Sequence, residues 1–142
     1  MTTDPDRLLL LSKHLGAFES PDFTFGDWEP SWTDADGVIH IGWYRLSPAA
    51  EAFLADVGAG SWVTPFDWPA WLASDAGQAL YRHPEAVAEA SADDLGRLLT
   101  LCVRGDRFSE GTLATAYESG LLTAIVRRAK VLGRVQQTSA RD

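Results

Sequence analysis

Four charged residues fall within seven positions, at Arg104, Asp106, Arg107 and Glu110. Two guanidinium groups at that spacing could clamp a carboxylate or a phosphate, because arginine holds its donors in a planar fork. Glu110 or Asp106 could then move a proton on the bound anion. Upstream, the run Phe66-Asp67-Trp68-Pro69-Ala70-Trp71 offers another carboxylate and two indoles to wall such a site. Asp67, Trp68, Trp71, Arg104, Asp106, Arg107 and Glu110 are therefore the candidate ligand- or partner-binding residues. The same residues have a plainer use. Arg104 near one helix C-terminus and Glu110 near the next N-terminus both suit the helix dipoles, and an arginine fork on a carboxylate staples a corner. A partner-binding surface is the third use, since Trp and Arg concentrate binding energy at interfaces.

Familiar catalytic signatures are missing. There is no Gly-x-Ser-x-Gly, no Walker loop and no Gly-x-Gly-x-x-Gly. His14, His40 and His83 have no second His, Cys or carboxylate at a standard zinc spacing, so neither a metal nor a cofactor is expected. The one cysteine, Cys102, lies in an apolar run from Leu98 to Val103 and reads as a small buried hydrophobe, not a nucleophile. A single cysteine makes no internal disulfide and fits a reducing compartment.

The 142 residues are 46% hydrophobic and 23% charged, which places the chain among ordinary globular proteins. One domain over residues 1–142 is expected, fraying at about 136–142. A formal charge of −8 disfavours non-specific contact with nucleic acid or an anionic membrane. No apolar run reaches the roughly 18 residues of a membrane helix, and the acidic start is unlike a signal peptide. A cytoplasmic location is therefore expected. The charge is unevenly spread. Residues 1–71 hold three basic and eleven acidic side chains together with all six tryptophans, whereas residues 72–142 hold nine of each sign.

The elements that must position these residues are legible from caps and periodicity. Asp4-Pro5 opens a helix, with Leu8, Leu11, Leu15 and Phe18 on its inner face and an end near Gly16 to Glu19. Residues 19–27 read as loop. Trp28 to Trp32 is a short edge strand, weakened by Pro30. Asp34 to Gly37 is a turn, and Val38 to Tyr44 is a strand whose Ile39, Ile41 and Trp43 are expected to face the core. His40 is then exposed or hydrogen-bonded across the hairpin. Ser47-Pro48 opens a second helix carrying Phe53, Leu54 and Val57, closed by Gly58 to Gly60. Trp62-Val63 is a third strand or an extended linker. Asp67 caps a third helix, which Gly77 weakens and His83-Pro84 breaks. Ser91 opens the clearest amphipathic helix, with Leu95, Leu98, Leu99, Cys102 and Val103 inward and an Asp93–Arg97 pair outward. Residues 104–111 are expected to interrupt it. A helix from Glu110 to Ser119 follows, then Gly120, then a last helix on Leu121, Leu122, Ile125, Ala129 and Leu132.

Two stretches carry a resemblance. Phe66-Asp67-Trp68-Pro69-x-Trp71 is followed by Arg104-x-Asp106-Arg107-Phe108-x-Glu110-Gly111-x-Leu113-Ala114, then by Glu118-x-Gly120 and a basic helix. This resembles a bacterial family of domains of unknown function over residues 8–132. The resemblance implies a helix–hairpin–helix first half before a helical second half, and it carries no activity to transfer.

The expected fold is α+β: a mostly helical single domain of five or six helices with a small antiparallel β-hairpin. The expected function is a non-enzymatic binding or regulatory domain for a protein partner or a small anionic ligand. A small enzyme acting on an anionic metabolite through the Arg/Asp/Glu cluster is the alternative. A nucleic-acid-associated regulator using the basic last helix (Arg127, Arg128, Lys130, Arg134) is the second alternative, disfavoured by net charge. An aromatic edge strand could also pair two copies across a two-fold axis.

Overall fold

Four helices begin on the same device, a side-chain oxygen that accepts the backbone N–H three residues ahead. Ser47 caps onto Ala50, Asp67 onto Ala70, Ser74 onto Gly77 and Ser91 onto Asp94, each at 3.1 Å. The structure is a computed structural model that describes residues 4–141, with side chains as far as Gln136. Its elements run α1 (Asp4–Ser12), α2 (Leu15–Glu19), β1 (Gly26–Glu29), β2 (Trp32–Thr33), β3 (Ile39–His40), β4 (Trp43–Leu46), α3 (Pro48–Ala59), α4 (Trp68–Ala73) and α5 (Asp75–Tyr81). A 3-10 segment (Pro84–Glu89) follows, then α6 (Ala92–Phe108), α7 (Thr112–Glu118) and α8 (Leu121–Arg141). The chain is thus mostly helical with a small antiparallel β-hairpin.

Eight α-helices among the described residues exceed the five or six expected, because two expected helices are each split. The first tightens at Lys13 and His14, whose N–H reaches back only to Leu11, so α1 and α2 form separately. The third breaks at Ser74, which turns from C-cap of α4 into N-cap of α5. Gly77 is what permits that break. A Cβ there would lie 2.0 Å from the Trp71 carbonyl oxygen, so only glycine lets α5 pass α4 so closely. Pro84 then ends the helical run as expected. Trp62-Val63 is linker rather than strand, with the Trp62 indole buried.

A second correction concerns residues 104–111. Helix α6 does not stop at Arg104 but continues through Phe108, so three of the four clustered charges lie on its last turns. Its outward pair is Arg97 with Asp94 at 2.7 Å, one residue nearer than the expected Asp93. The fraying expected at about 136–142 falls mostly on residues whose side chains lie outside the described set. The backbone of α8 is helical to Arg141.

The core is helical. Leu121, Leu122, Ile125, Val126 and Ala129 of α8 pack against Leu8 and Leu11 of α1 and the inner face of α6. An aromatic cluster closes one end. Phe18 meets Phe25, Phe53 and Tyr117 at centroid separations of 5.0–6.3 Å, and Phe25 stacks on Tyr117 at 5.0 Å. Phe25 immediately precedes β1, so this cluster roots the hairpin in the core.

The hairpin is two short ladders in series: β1 with β4, then β2 with β3, around the Asp34–Gly37 turn. Asp34 shapes that turn by accepting the N–H groups of Asp36 and Val38. The expected core face of the second strand is wrong. Ile39, Ile41 and Trp43 are exposed, Ile41 at 85%. The strand lapses at Ile41-Gly42, and the part nearest the core runs on to Leu46. There the half-buried residues are Tyr44 and Leu46, the opposite parity, and a two-residue alternation cannot serve both.

Candidate functional site

Helix α6 delivers Asp106 to the corner with α7, where one carboxylate oxygen accepts from both Gly111 N and Leu113 N at 3.1 Å. These are orphan donors at the start of α7, and a carboxylate there also suits the dipole. Gly111 makes the corner possible with φ of +101°, a conformation that L side chains resist. Glu110 points elsewhere. Its carboxylate accepts the backbone N–H of Tyr44 on β4 and so ties the hairpin to the corner. Trp28, paired across the ladder with Tyr44, lays its indole over Gly111, and a Cβ at Gly111 would sit 3.1 Å from it.

The arginines do not join this knot. Among the described residues Arg104 and Arg107 make no ion pair, and neither reaches Asp106 or Glu110. Asp67 is spent capping α4. Trp68 does reach the corner, its ring edge passing 3.9 Å from the Cβ position of Gly105 and its centroid 6.3 Å from that of Phe108. Trp71 packs instead against Phe66, centroids 6.4 Å apart. The structure therefore gathers Asp106 and Glu110 with the hairpin, brings Trp68 alongside, and leaves the two arginines outside. A hollow of about 230 Å³ beside Gly111 is lined by Trp28, Tyr81, Glu110 and Glu118 and by neither arginine.

Two ionisable groups respond to burial and to the negative charge around them. The Tyr44 phenol is pushed above its ordinary value by burial first, then by the negative charges of Glu118, Asp27 and Asp106. Burial pushes the Cys102 thiol up to about 12, with Asp106 adding to it. A thiol so held is neutral at any physiological pH and is no nucleophile. Among the described residues no three or more of His, Cys, Asp and Glu are gathered so as to hold a metal ion.

The residues that sequence reasoning missed lie on the arm. Beyond Trp28 the hairpin leaves the protein body, and Trp32, Val38, Ile39, Ile41 and Trp43 are all exposed. His40 stacks on Trp32 at 4.2 Å and bonds to Asp34 at 3.0 Å, contacts that join the turn to the ladder without burying the tip. On the outer face of the β1–β4 ladder, Asp27, Glu29, Trp43 and Arg45 line a groove of about 460 Å³ that Glu51 of α3 completes. One signal was available: a two-stranded ribbon has too little surface to bury six large apolar residues within sixteen positions, Trp28 to Trp43.

The pattern of a family of unknown function, DUF6508, matches residues 3–135. The chain belongs to that family. The match takes in every element from α1 to most of α8, so the corner and the hairpin both lie within the DUF6508 domain. No curated protein and no solved structure gives a match to the chain. No helix of this DUF6508 chain, among the described residues, is long and apolar enough to cross a membrane.

Proposed function

We propose that this domain is a non-enzymatic binding module that recognises a protein partner through its hairpin. The supporting observation is the run of exposed Trp32, Val38, Ile39, Ile41 and Trp43 on an arm tied at its base by the Glu110–Tyr44 hydrogen bond. Large apolar side chains gathered on one projecting element mark interaction surfaces, whereas scattered ones do not. The single buried cysteine supports work in a reducing cytoplasm. The enzyme alternative loses its acid and base, since Asp106 and Glu110 are both engaged by backbone N–H groups. The basic last helix is likewise partly spent: Arg127 pairs with Glu19 and Arg128 bonds to the Ala90 carbonyl.

Affinity capture from native extract tests the reading with three baits: wild type, Ile41→Ser/Trp43→Ser, and Arg104→Ala/Arg107→Ala. A protein held by the wild type and the arginine variant but lost from the hairpin variant is the expected result. A ligand lost only from the arginine variant would return the site to the α6–α7 corner and sink the proposal.

A further inference from the structure

Between Lys13 and Arg82 the chain carries one Lys or Arg, Arg45, against ten Asp and Glu. That imbalance converges on the outer face of the hairpin. In its groove Asp27 and Glu51 make no ion pair among the described residues, and the single guanidinium of Arg45 sits 3.6 Å from Glu29. Three carboxylates therefore share one cation beside the half-open indole of Trp43.

We propose that this face takes an extended, Lys- or Arg-bearing segment of a partner protein, an inference that rests on the docking role given above. Cationic side chains would enter the groove between Asp27, Glu29 and Glu51 and lie against the Trp43 ring, where carboxylate and π-face attract the same charge. Apolar side chains between them would cover Ile39 and Ile41. The strand edges support an extended segment. The edge of β4 is closed at Tyr44 by the Glu110 carboxylate, whereas β1 has no strand on its far side among the described residues. A free edge next to alternating side-chain sites is the geometry by which peptides add to sheets. A second copy of this chain fits poorly, since a two-fold axis would bring one acidic face against another.

Selection of short random peptides on the full wild-type chain, in parallel with Ile41→Ser/Trp43→Ser, tests the proposal. The best peptide is then titrated by tryptophan fluorescence against wild type and Asp27→Asn/Glu51→Gln at low and high salt. The expected result is a hairpin-dependent pool rich in Lys and Arg. Its affinity should fall about five-fold in the carboxylate variant and weaken with salt. Both substituted carboxylates are on the surface, and Glu51→Gln alone serves if the double variant misfolds. A hairpin-dependent pool without positive charge overturns the inference and leaves the docking role standing. A pool indifferent to the hairpin variant overturns both. A wild-type dimer in light scattering that Ile41→Ser/Trp43→Ser makes monomeric names a second copy as the occupant, and the cationic segment falls.

Discussion

The Glu110 carboxylate accepts the backbone N–H of Tyr44, sixty-six positions earlier in the chain. A side chain whose charge suggested catalysis thus serves as a tether between a helix corner and a strand edge. Glu110→Ala should cost about 1 kcal/mol, the usual net worth of one such bond. The thermal midpoint should fall by about 3 °C. Amide exchange at Tyr44 should quicken in Glu110→Ala and stay slow in Glu110→Gln, which keeps an oxygen acceptor. Equal exchange in all three proteins would show that the tether is absent in solution.

Asp106 and Arg107 are neighbours with opposite expectations. Asp106→Ala removes the acceptor for two N–H groups at the start of α7 and should destabilise by about 1–2 kcal/mol in urea unfolding. Arg107→Ala, at an exposed site with no ion pair among the described residues, should stay within about 0.5 kcal/mol of wild type. Comparable losses for both would restore a charge network at the corner.

At Gly111, alanine would meet both a left-handed backbone and the Trp28 ring. Gly111→Ala should cost about 1–2 kcal/mol from the backbone alone and should shift Trp28 fluorescence. Gly58, helical and with open space at its Cβ position, is the control. Gly58→Ala should stabilise by up to about 1 kcal/mol.

Burial works to raise the Asp56 carboxyl, but hydrogen bonds from His14 at 2.6 Å and Lys13 at 3.1 Å outweigh it and hold the group below its ordinary 3.8. Folding therefore favours the charged form. Its contribution is present above the ordinary value and lost as pH falls through the lowered one. Asp56→Asn should be less stable than wild type at neutral pH, and the gap should narrow below about pH 4. Urea midpoints at stepped pH values measure it, and a constant gap would refute it.

Cys102, fully buried with its thiol held near 12, should resist a charged thiol reagent at pH 8 in the native protein and react once in denaturant. Rapid native labelling would place the thiol at the surface.

Helix starts were legible because a cap is local. Ser47, Asp67 and Ser91 declare themselves within four residues, and Leu95 to Cys102 show their period without help. The parity of the second strand was not legible. Val38 to Tyr44 supports either face by composition, and the choice is made by Leu46, Phe25 and the aromatic cluster around Phe18, which lie outside that run. The charge cluster was visible as charges, but its roles were not. Whether Glu110 meets Arg107 or Tyr44 depends on where a hairpin sixty residues away comes to rest, and on α6 continuing about one turn further than its charges suggested.

Leu8 and Leu11 of α1 find their cover on α8, where the Gly133 position lies 3.7 Å from the Leu8 side chain. The first helix of this domain is therefore partnered by its last. Until α8 has been made, the apolar stripe of α1 lacks its main native cover, so nearly the whole domain must be synthesised before its core can close. Closure of the core accordingly waits on α8. A nascent chain stalled before Leu121 should hold a chaperone, and its release should coincide with emergence of α8.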